Sequence, residues 1–146
     1  MTDFRRLSET MFASPQITPA DVAAAKELGI TLIVNNRPDG ESGDQPAGAE
    51  IEAAAREAGI AYVTIPVTAA GFSQPQVEAM REALAANDGP VLGFCRSGTR
   101  STLLWSLAQA SMGAEPDEVA TAAAEAGYDV SPVRPAMEML ATQSRE

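Results

Sequence analysis

The length, composition and charge of this chain exclude several classes of function. Its 146 residues are 45% hydrophobic and 21% charged, which suits a single globular domain, residues 1–146, with a substantial core. The formal net charge is −10, so the long-range field repels nucleic acid and anionic membrane surfaces. No apolar run approaches the ~20 residues that a membrane-spanning helix needs. We therefore expect neither a nucleic-acid partner nor a membrane.

The counts of histidine and cysteine narrow the chemistry further. The chain has no histidine and one cysteine, which excludes Ser-His-Asp and Cys-His catalysis and the usual ligand sets of zinc. We expect no metal ion or other cofactor. A lone thiol suits a reducing compartment, and the first ten residues lack the apolar centre of a signal peptide. These features predict a cytoplasmic protein.

The first third of the chain shows patterns of strand, helix, strand and loop. Residues 4–7 and 11–13 predict a short antiparallel edge. A capping box opens a helix at residues 18–29, which ends on a glycine. A β-branched run at residues 31–35 predicts a buried strand. The acidic stretch at residues 37–48 is rich in Gly and Pro and predicts a long loop.

The remainder of the chain repeats the alternation of helix and strand. Strong helix formers at residues 51–58 precede a predicted strand at residues 61–67. A second capping box predicts a helix at residues 74–86. The third predicted strand, residues 90–94, leads into an apolar pattern at residues 101–112 that is typical of a buried helix.

Two shorter helical patterns, at residues 116–126 and 132–142, complete the chain as packing helices. Strands that alternate with helices indicate βαβ units, in which helices cover both faces of the sheet. The sequence therefore predicts an α/β fold, a three-layer αβα arrangement around a mainly parallel twisted sheet.

The motif CRSGTR, residues 95–100, lies where such a fold places a ligand. Ligands of parallel sheets bind beyond the carboxyl ends of the strands, where helix N-termini converge. Gly98 lets the backbone curl without a Cβ clash, and Arg100 supplies a planar cation that matches an oxyanion. If Ser101 begins the next helix, the loop amides and the helix dipole form an anion cradle around Cys95.

Cys95 is the predicted nucleophile of this loop. The positive field would lower the pKa of its thiol from ~8.5 toward ~3.5–7.5, and the resulting thiolate attacks phosphorus or sulfur without a histidine base. The alternative is a buried small hydrophobe at a strand end, which the polar neighbours disfavour. Ser97, Gly98 and Thr99 complete the predicted anion-binding loop, to which Arg96 either belongs or is a surface residue.

Four stretches of the sequence resemble one protein family: FASPQITPAD, VNNRPDGE, YVTIPV and PVLGFCRSGTRS. This is the phosphatase-like domain of the beta-lactamase-hydrolase-like proteins, a branch with the fold of cysteine-dependent tyrosine and dual-specificity phosphatases. The resemblance covers nearly the whole chain and implies a cysteine-phosphatase-like fold. It also implies that Cys95 is the nucleophile, that Arg100 binds the oxyanion, and that the Ser101 hydroxyl steadies the thiolate or the leaving sulfur.

Three positions depart from the pattern of such phosphatases. Those enzymes typically place five residues between the cysteine and the arginine, whereas four separate Cys95 from Arg100, as in the rhodanese sulfurtransferase loop. The histidine that usually precedes the cysteine is Phe94. The loop at residues 68–71, where related phosphatases carry an aspartic general acid, reads TAAG and has no carboxylate.

The loop after the first parallel strand offers substitutes for these missing groups. Asp39 and Glu41 are the candidate general acids, although acids in a Gly- and Pro-rich loop are more often solvated surface. Arg37 either adds to anion binding or faces solvent.

Three functions follow from these residues. The first is a cysteine-dependent phosphatase-like hydrolase that acts on a small oxyanion or phosphoester. The second is a rhodanese-like sulfurtransferase that carries a persulfide on Cys95, and it needs no general acid. The third is a non-catalytic anion-binding module, which the empty acid position favours.

Overall fold

The computed structural model describes residues 3–68 and 70–145 of the chain. Strands and helices alternate as the sequence predicts, and a 3₁₀ turn at Ser131–Val133 leads into the last helix. The elements are β1 (Arg5–Ser8), β2 (Met11–Ser14), α1 (Pro19–Glu27), β3 (Leu32–Asn35), α2 (Gly48–Glu57), β4 (Ala61–Thr64), α3 (Gln74–Ala86), β5 (Val91–Phe94), α4 (Thr99–Ser111), α5 (Pro116–Glu125) and α6 (Arg134–Ser144).

The strands form one sheet in the order β1-β2-β5-β3-β4. β2, β5, β3 and β4 run parallel, and β1 runs antiparallel to β2. The predicted mainly parallel sheet is confirmed. Because the carboxyl ends of parallel strands meet at one edge of a sheet, the segments that follow these four strands lie close together.

The N-terminal strand pair differs from its prediction in one respect. β1 is the antiparallel edge strand that was predicted, but β2 lies inside the sheet, between β1 and β5. All four residues of Met11–Ser14 are buried. The short pattern gave no sign of this position because burial on both faces depends on pairing with β5, which is distant in sequence.

Two predicted helix starts are confirmed by their hydrogen bonds. The Asp21 carboxylate accepts the main-chain N–H of Thr18 at 2.8 Å, and the Gln76 side-chain oxygen accepts that of Ser73 at 2.7 Å. In each helix a proline occupies the first turn, where its missing N–H has no intrahelical partner to lose. These contacts place the starts of α1 and α3.

Several element boundaries differ from the sequence-based prediction, and three of them are at β4, α2 and α4. β4 ends at Thr64, three residues earlier than predicted, close to Pro66, which has no N–H to donate to a strand partner. α2 begins at Gly48, whose N–H donates to the Asp39 carboxylate at 2.8 Å. α4 begins at Thr99, so its first turn already lies within the CRSGTR motif.

Helices cover both faces of the sheet, which confirms the predicted αβα layers. α1 and α2 pack on one face around Ile33, Leu92 and Phe94. The other helices pack on the opposite face, and α4 is buried along nearly its whole length, as predicted. None of the helices in the described part of the chain combines the length and the hydrophobicity of a membrane span.

Leu104 of α4 tests this arrangement of the core. Its side chain is fully buried, and we expect Leu104→Ala to lower the free energy of unfolding by about 2–5 kcal/mol, because truncation leaves a cavity between α4 and its neighbours. Leu28, which is 51% exposed, is the matched control, and Leu28→Ala is expected to change stability by less than about 0.5 kcal/mol. Urea denaturation measures both, and equal effects would contradict the burial of α4.

Candidate active site

The loop between β5 and α4 places the sulfur of Cys95 against a main-chain amide. The N–H of Gly98 donates to Cys95 Sγ at an N···S distance of 3.1 Å. Gly98 has φ 93° and ψ −10°, a left-handed backbone conformation that residues with a Cβ atom rarely adopt. Cys95 has no solvent-exposed surface, so a substrate reaches the sulfur only after neighbouring side chains move.

The N-terminus of α4 lies directly beyond this sulfur. The helix begins at Thr99, one residue after Gly98, and the Gly98 carbonyl accepts hydrogen bonds from the N–H and the hydroxyl of Thr102 at 3.0 and 2.9 Å. The first-turn N–H groups of a helix have no intrahelical acceptors, and they carry the positive end of the helix dipole. The structure thus sets the thiol at the helix end that favours negative charge.

The guanidinium of Arg100 is held by a carboxylate and a carbonyl. Its Nη1 and Nη2 donate to the two Glu41 oxygens at 2.7 and 2.9 Å, and Nη1 also donates to the carbonyl of Val67 at 2.7 Å. The hydrogen bonds of Glu41 raise the pKa of Arg100, and the negative charge of a Cys95 thiolate raises it further. Arg100 is therefore a permanent cation beside the sulfur.

Glu41 lies between two arginines. Besides the hydrogen bonds from the two Nη atoms of Arg100, the Glu41 carboxylate accepts a hydrogen bond from Arg37 Nε at 2.9 Å. The Arg100 hydrogen bonds are the main reason that the pKa of Glu41 falls from 4.5 to about 2. Glu41 is therefore ionised at neutral pH, and in this conformation it has no proton to donate as a general acid.

Asp39, the other candidate general acid, is also engaged. Its carboxylate caps α2 by accepting the N–H of Gly48. In the loop at residues 68–71, the structure describes Thr68, Ala70 and Gly71, whereas Ala69 lies outside the described residues. None of the candidate carboxylates from the sequence is placed here as a proton donor.

Arg37 is a buried support for the site. Its side chain is 4% exposed. Beyond the bond to Glu41, its Nη1 donates to Gln16 at 3.0 Å and its Nη2 donates to Ser42 at 3.1 Å. Because all three side-chain nitrogens have protein partners, Arg37 holds Glu41 against Arg100 and does not face solvent. The predicted contact of Arg37 with an anion stays a prediction.

The hydroxyl of Ser101 has a partner other than the sulfur. It donates to the side-chain oxygen of Asn36 at 2.7 Å, and Asn36 in turn donates to the carbonyl of Ile65 at 2.9 Å. This buried chain ties α4 to the ends of β3 and β4. The role expected from the family resemblance, in which Ser101 steadies the thiolate, is not the one that this geometry shows.

The other loop residues lie at the surface of the site. Arg96 and Ser97 are exposed, and the Ser97 hydroxyl donates to the Thr99 hydroxyl at 3.0 Å. The carbonyl of Arg96 accepts the N–H of Gln16 at 3.2 Å, which joins the loop to the end of β2. Their predicted contacts to an anion stay predictions.

Sequence reasoning missed three residues that shape the site. Gln16 and Asn36 were not singled out, although both stand within motifs that carry the family resemblance, where a polar side chain beside a strand end is a recognisable signal. Tyr128 donates its phenol O–H to the carbonyl of Ser97 at 3.2 Å. Because Tyr128 comes from the segment between α5 and α6, no local pattern connects it to the loop.

The pairing of Glu41 predicts a pH dependence of stability. A carboxylate whose folded-state pKa is depressed stabilises the protein above its ordinary pKa and loses this contribution as the pH falls. We expect Glu41→Gln to lower the free energy of unfolding by about 1–3 kcal/mol at pH 7, and the difference from the native protein to shrink as the pH falls from about 5 toward about 2. Urea denaturation at several pH values measures this difference.

Glu52→Gln is the control for this effect. Glu52 pairs with Arg56 on the surface of α2 at 2.7 Å, and exposed pairs of this kind contribute about 0–1 kcal/mol. A Glu41→Gln effect that is as small as that of Glu52→Gln, or that does not change with pH, would contradict the ion pairs described above.

Comparisons with known proteins identify the family of this chain. The sequence profile of the beta-lactamase hydrolase-like protein, phosphatase-like domain, matches residues 3–112. The beta-lactamase hydrolase-like protein of Xylella fastidiosa is 38% identical over 125 residues, which are 85% of this chain and 29% of that protein. The chain thus spans less than a third of the length of the curated relatives that it matches.

Solved structures share the same fold. A candidate phosphatase from Neisseria meningitidis superposes with a TM-score of 0.83 at 35% identity, covering 96% of this chain and 99% of that one. Tk-PTP, at 13% identity, superposes with a TM-score of 0.75 over 97% of this chain and 96% of its own, a likeness of fold alone. The chain has the cysteine-phosphatase fold, and it belongs to the family of the beta-lactamase hydrolase-like protein, phosphatase-like domain.

Proposed function

We propose that this chain is a cysteine-dependent phosphatase-like hydrolase in which Cys95 is the nucleophile. The observation that carries the proposal is the hydrogen bond from the Gly98 amide to the sulfur, at the N-terminus of the helix that carries Arg100. A loop amide and a helix dipole favour a thiolate, and a guanidinium binds the oxygens of a tetrahedral anion. A thiolate below such an anion needs no histidine base.

The reaction would proceed through two displacements at phosphorus. The thiolate of Cys95 attacks the phosphorus atom, the S–P bond forms, and the P–O bond to the leaving group breaks with its electron pair on oxygen. Water then attacks the phosphocysteine, the S–P bond breaks, and inorganic phosphate and the thiolate are released. Arg100 stabilises the negative charge on the phosphoryl oxygens in both steps.

The partners of the acidic residues restrict the substrates. Glu41 is ionised between two arginines and Asp39 caps α2, so neither carboxylate protonates the leaving oxygen in this conformation. A general acid is worth roughly 10²–10⁴-fold in rate. We therefore expect esters of acidic alcohols, such as aryl phosphates, to be far better substrates than alkyl phosphates.

Sulfur transfer is the second candidate function, and two observations favour it. Four residues separate Cys95 from Arg100, as in the rhodanese loop, and among the described residues neither Glu41 nor Asp39 is placed to protonate an alkoxide. The Cys95 thiolate would attack the outer sulfur of thiosulfate, the S–S bond would break, and sulfite would leave with the electron pair. Cyanide would then take the outer sulfur from the persulfide as thiocyanate and restore the thiolate.

The substrate in either reaction would be a small anion. The net charge of −10 disfavours polyanions such as nucleic acid, whereas the local charge of Arg100 and the helix N-terminus attracts a single oxyanion. A reducing compartment such as the cytoplasm would keep the single thiol active.

One pair of assays tests both functions. The native protein is incubated with 4-nitrophenyl phosphate, and separately with thiosulfate and cyanide. We expect release of 4-nitrophenol that Cys95→Ser abolishes, and a rate with an alkyl phosphate that is lower by roughly 10²-fold or more. Thiocyanate formation that depends on Cys95 would instead establish sulfur transfer.

Two arginine-to-lysine variants separate the shape of the Arg100 guanidinium from its positive charge. Arg100→Lys keeps the charge but loses the planar fork, and we expect it to lower kcat/KM by roughly 10²-fold or more. Arg81→Lys changes an exposed residue of α3 and should leave kcat/KM unchanged. If the folded native protein is silent in both assays, the enzymatic proposal is wrong and an anion-binding module remains.

A further inference from the structure

Tyr128 lies against the Cys95 loop on its buried side. It belongs to the segment between α5 and α6, it is 6% exposed, and its ring is part of the apolar layer around α4. Its main-chain N–H donates to the carbonyl of Ala123 at 2.9 Å, which fixes the segment to the end of α5. This residue follows the part of the chain that the family profile matches.

The phenol of Tyr128 and the sulfur of Cys95 bond to opposite ends of one peptide group. Tyr128 donates to the carbonyl of Ser97 at 3.2 Å, and the N–H of the next residue, Gly98, donates to Cys95 Sγ at 3.1 Å. In a planar trans peptide the C=O and N–H bonds point in opposite directions. A hydrogen bond that fixes the carbonyl therefore also fixes the direction of the N–H.

The contact between Tyr128 and the loop leaves no room for a side chain. A Cβ at position 98 would stand 2.2 Å from Oη and 2.9 Å from Cζ of Tyr128. The requirement for glycine at this position thus has two causes, the left-handed backbone and the tyrosine ring. The ring in turn prevents the Ser97–Gly98 peptide from rotating toward the interior.

Arg5 of β1 also contacts the ring of Tyr128. Its guanidinium lies 5.2 Å from the ring centroid, within the range of a cation–π contact, and its Nη1 donates to the carbonyl of Ala126 at 3.3 Å. Burial raises the pKa of Tyr128, so the phenol keeps its proton and remains a hydrogen-bond donor at neutral pH.

We propose that Tyr128 is a positioning residue that fixes the Ser97–Gly98 peptide with its N–H directed at the sulfur of Cys95. The phenol also polarises this peptide, because a hydrogen bond accepted by the carbonyl strengthens the one donated by the N–H. The peptide thus stabilises a Cys95 thiolate better than a free loop amide would. This inference rests on the proposed function, in which that thiolate is the nucleophile.

Among the described residues, few charged and titratable groups act on the sulfur or on Tyr128. Arg100 and Tyr128 interact with Cys95 itself, and Glu41 pairs with Arg100. Arg5 lies over the ring of Tyr128 and pairs with Asp3, whose charge also raises the pKa of Tyr128. Arg100 stays charged across the pH range of the test, and Glu41 titrates near pH 2. Between pH 4 and pH 9, the pH dependence of Cys95 alkylation therefore reports the ionisation of the thiol, while its absolute rate also depends on movement of the side chains that bury the sulfur.

The test is the pH profile of Cys95 alkylation by iodoacetamide in the native protein and in Tyr128→Phe. The variant keeps the ring and removes only the phenol O–H. We expect the midpoint of the native protein to lie well below the ~8.5 of a free cysteine, and that of Tyr128→Phe to lie higher by about 0.5 pH unit or more, a roughly threefold loss of thiolate below the midpoint. Mass spectrometry follows the modification.

Tyr62→Phe is the matched control. Tyr62 is also partly buried, and its phenol donates to the carbonyl of Gly48 at 3.2 Å and accepts Asn35 Nδ2 at 2.9 Å. Tyr62→Phe removes a phenol O–H whose hydrogen bonds lie outside the Cys95 loop. The pH midpoint of Cys95 alkylation in this variant should therefore match that of the native protein. Urea denaturation of both variants separates any loss of stability from the shift in midpoint.

Hydrogen exchange of the Gly98 amide is the second measurement. We expect this amide to exchange faster in Tyr128→Phe than in the native protein, since its peptide loses one anchor. A native midpoint near 8.5 would overturn the proposed function itself. A low native midpoint, with the same midpoint and the same Gly98 exchange in Tyr128→Phe, would leave the proposed function intact and overturn the role of Tyr128.

Discussion

The hydrogen bond from the Gly98 amide to the sulfur of Cys95 is the interaction on which the site depends. It requires residue 98 in the left-handed conformation, with the loop closed back on the strand end and α4 starting at the next residue. The buried length of α4 holds this start in place. The packing of α4 in the core therefore also fixes the direction of the Gly98 N–H toward the sulfur.

The electrostatics of the site are local and oppose the overall charge of the protein. A chain with a net charge of −10 places Arg100 beside its single cysteine, and Glu41 pairs with both Arg100 and Arg37. Glu41 separates the two guanidinium groups and fixes the one on Arg100, while Arg37 is anchored by Gln16 and Ser42. Because Glu41 is held in this bridge and Asp39 caps α2, neither of these two described carboxylates is placed as a proton donor.

Local signals in the sequence predicted the alternation of helices and strands, the capping boxes at Thr18 and Ser73, and the position of Cys95 after a buried strand. Each of these depends on neighbours in the chain. The roles of Glu41, Ser101 and Tyr128 did not follow from the sequence, because their partners stand 59, 65 and 31 residues away. The interior position of β2 was missed for the same reason, since it depends on pairing with β5.

A crystal structure of the protein soaked with sulfate tests the proposed anion cradle, because it shows the anion and its donors together. We expect the anion above the sulfur of Cys95, contacted by loop amides and by the guanidinium of Arg100. Sulfate that binds only elsewhere, with Arg100 engaged by Glu41 and Val67 alone, would contradict this expectation.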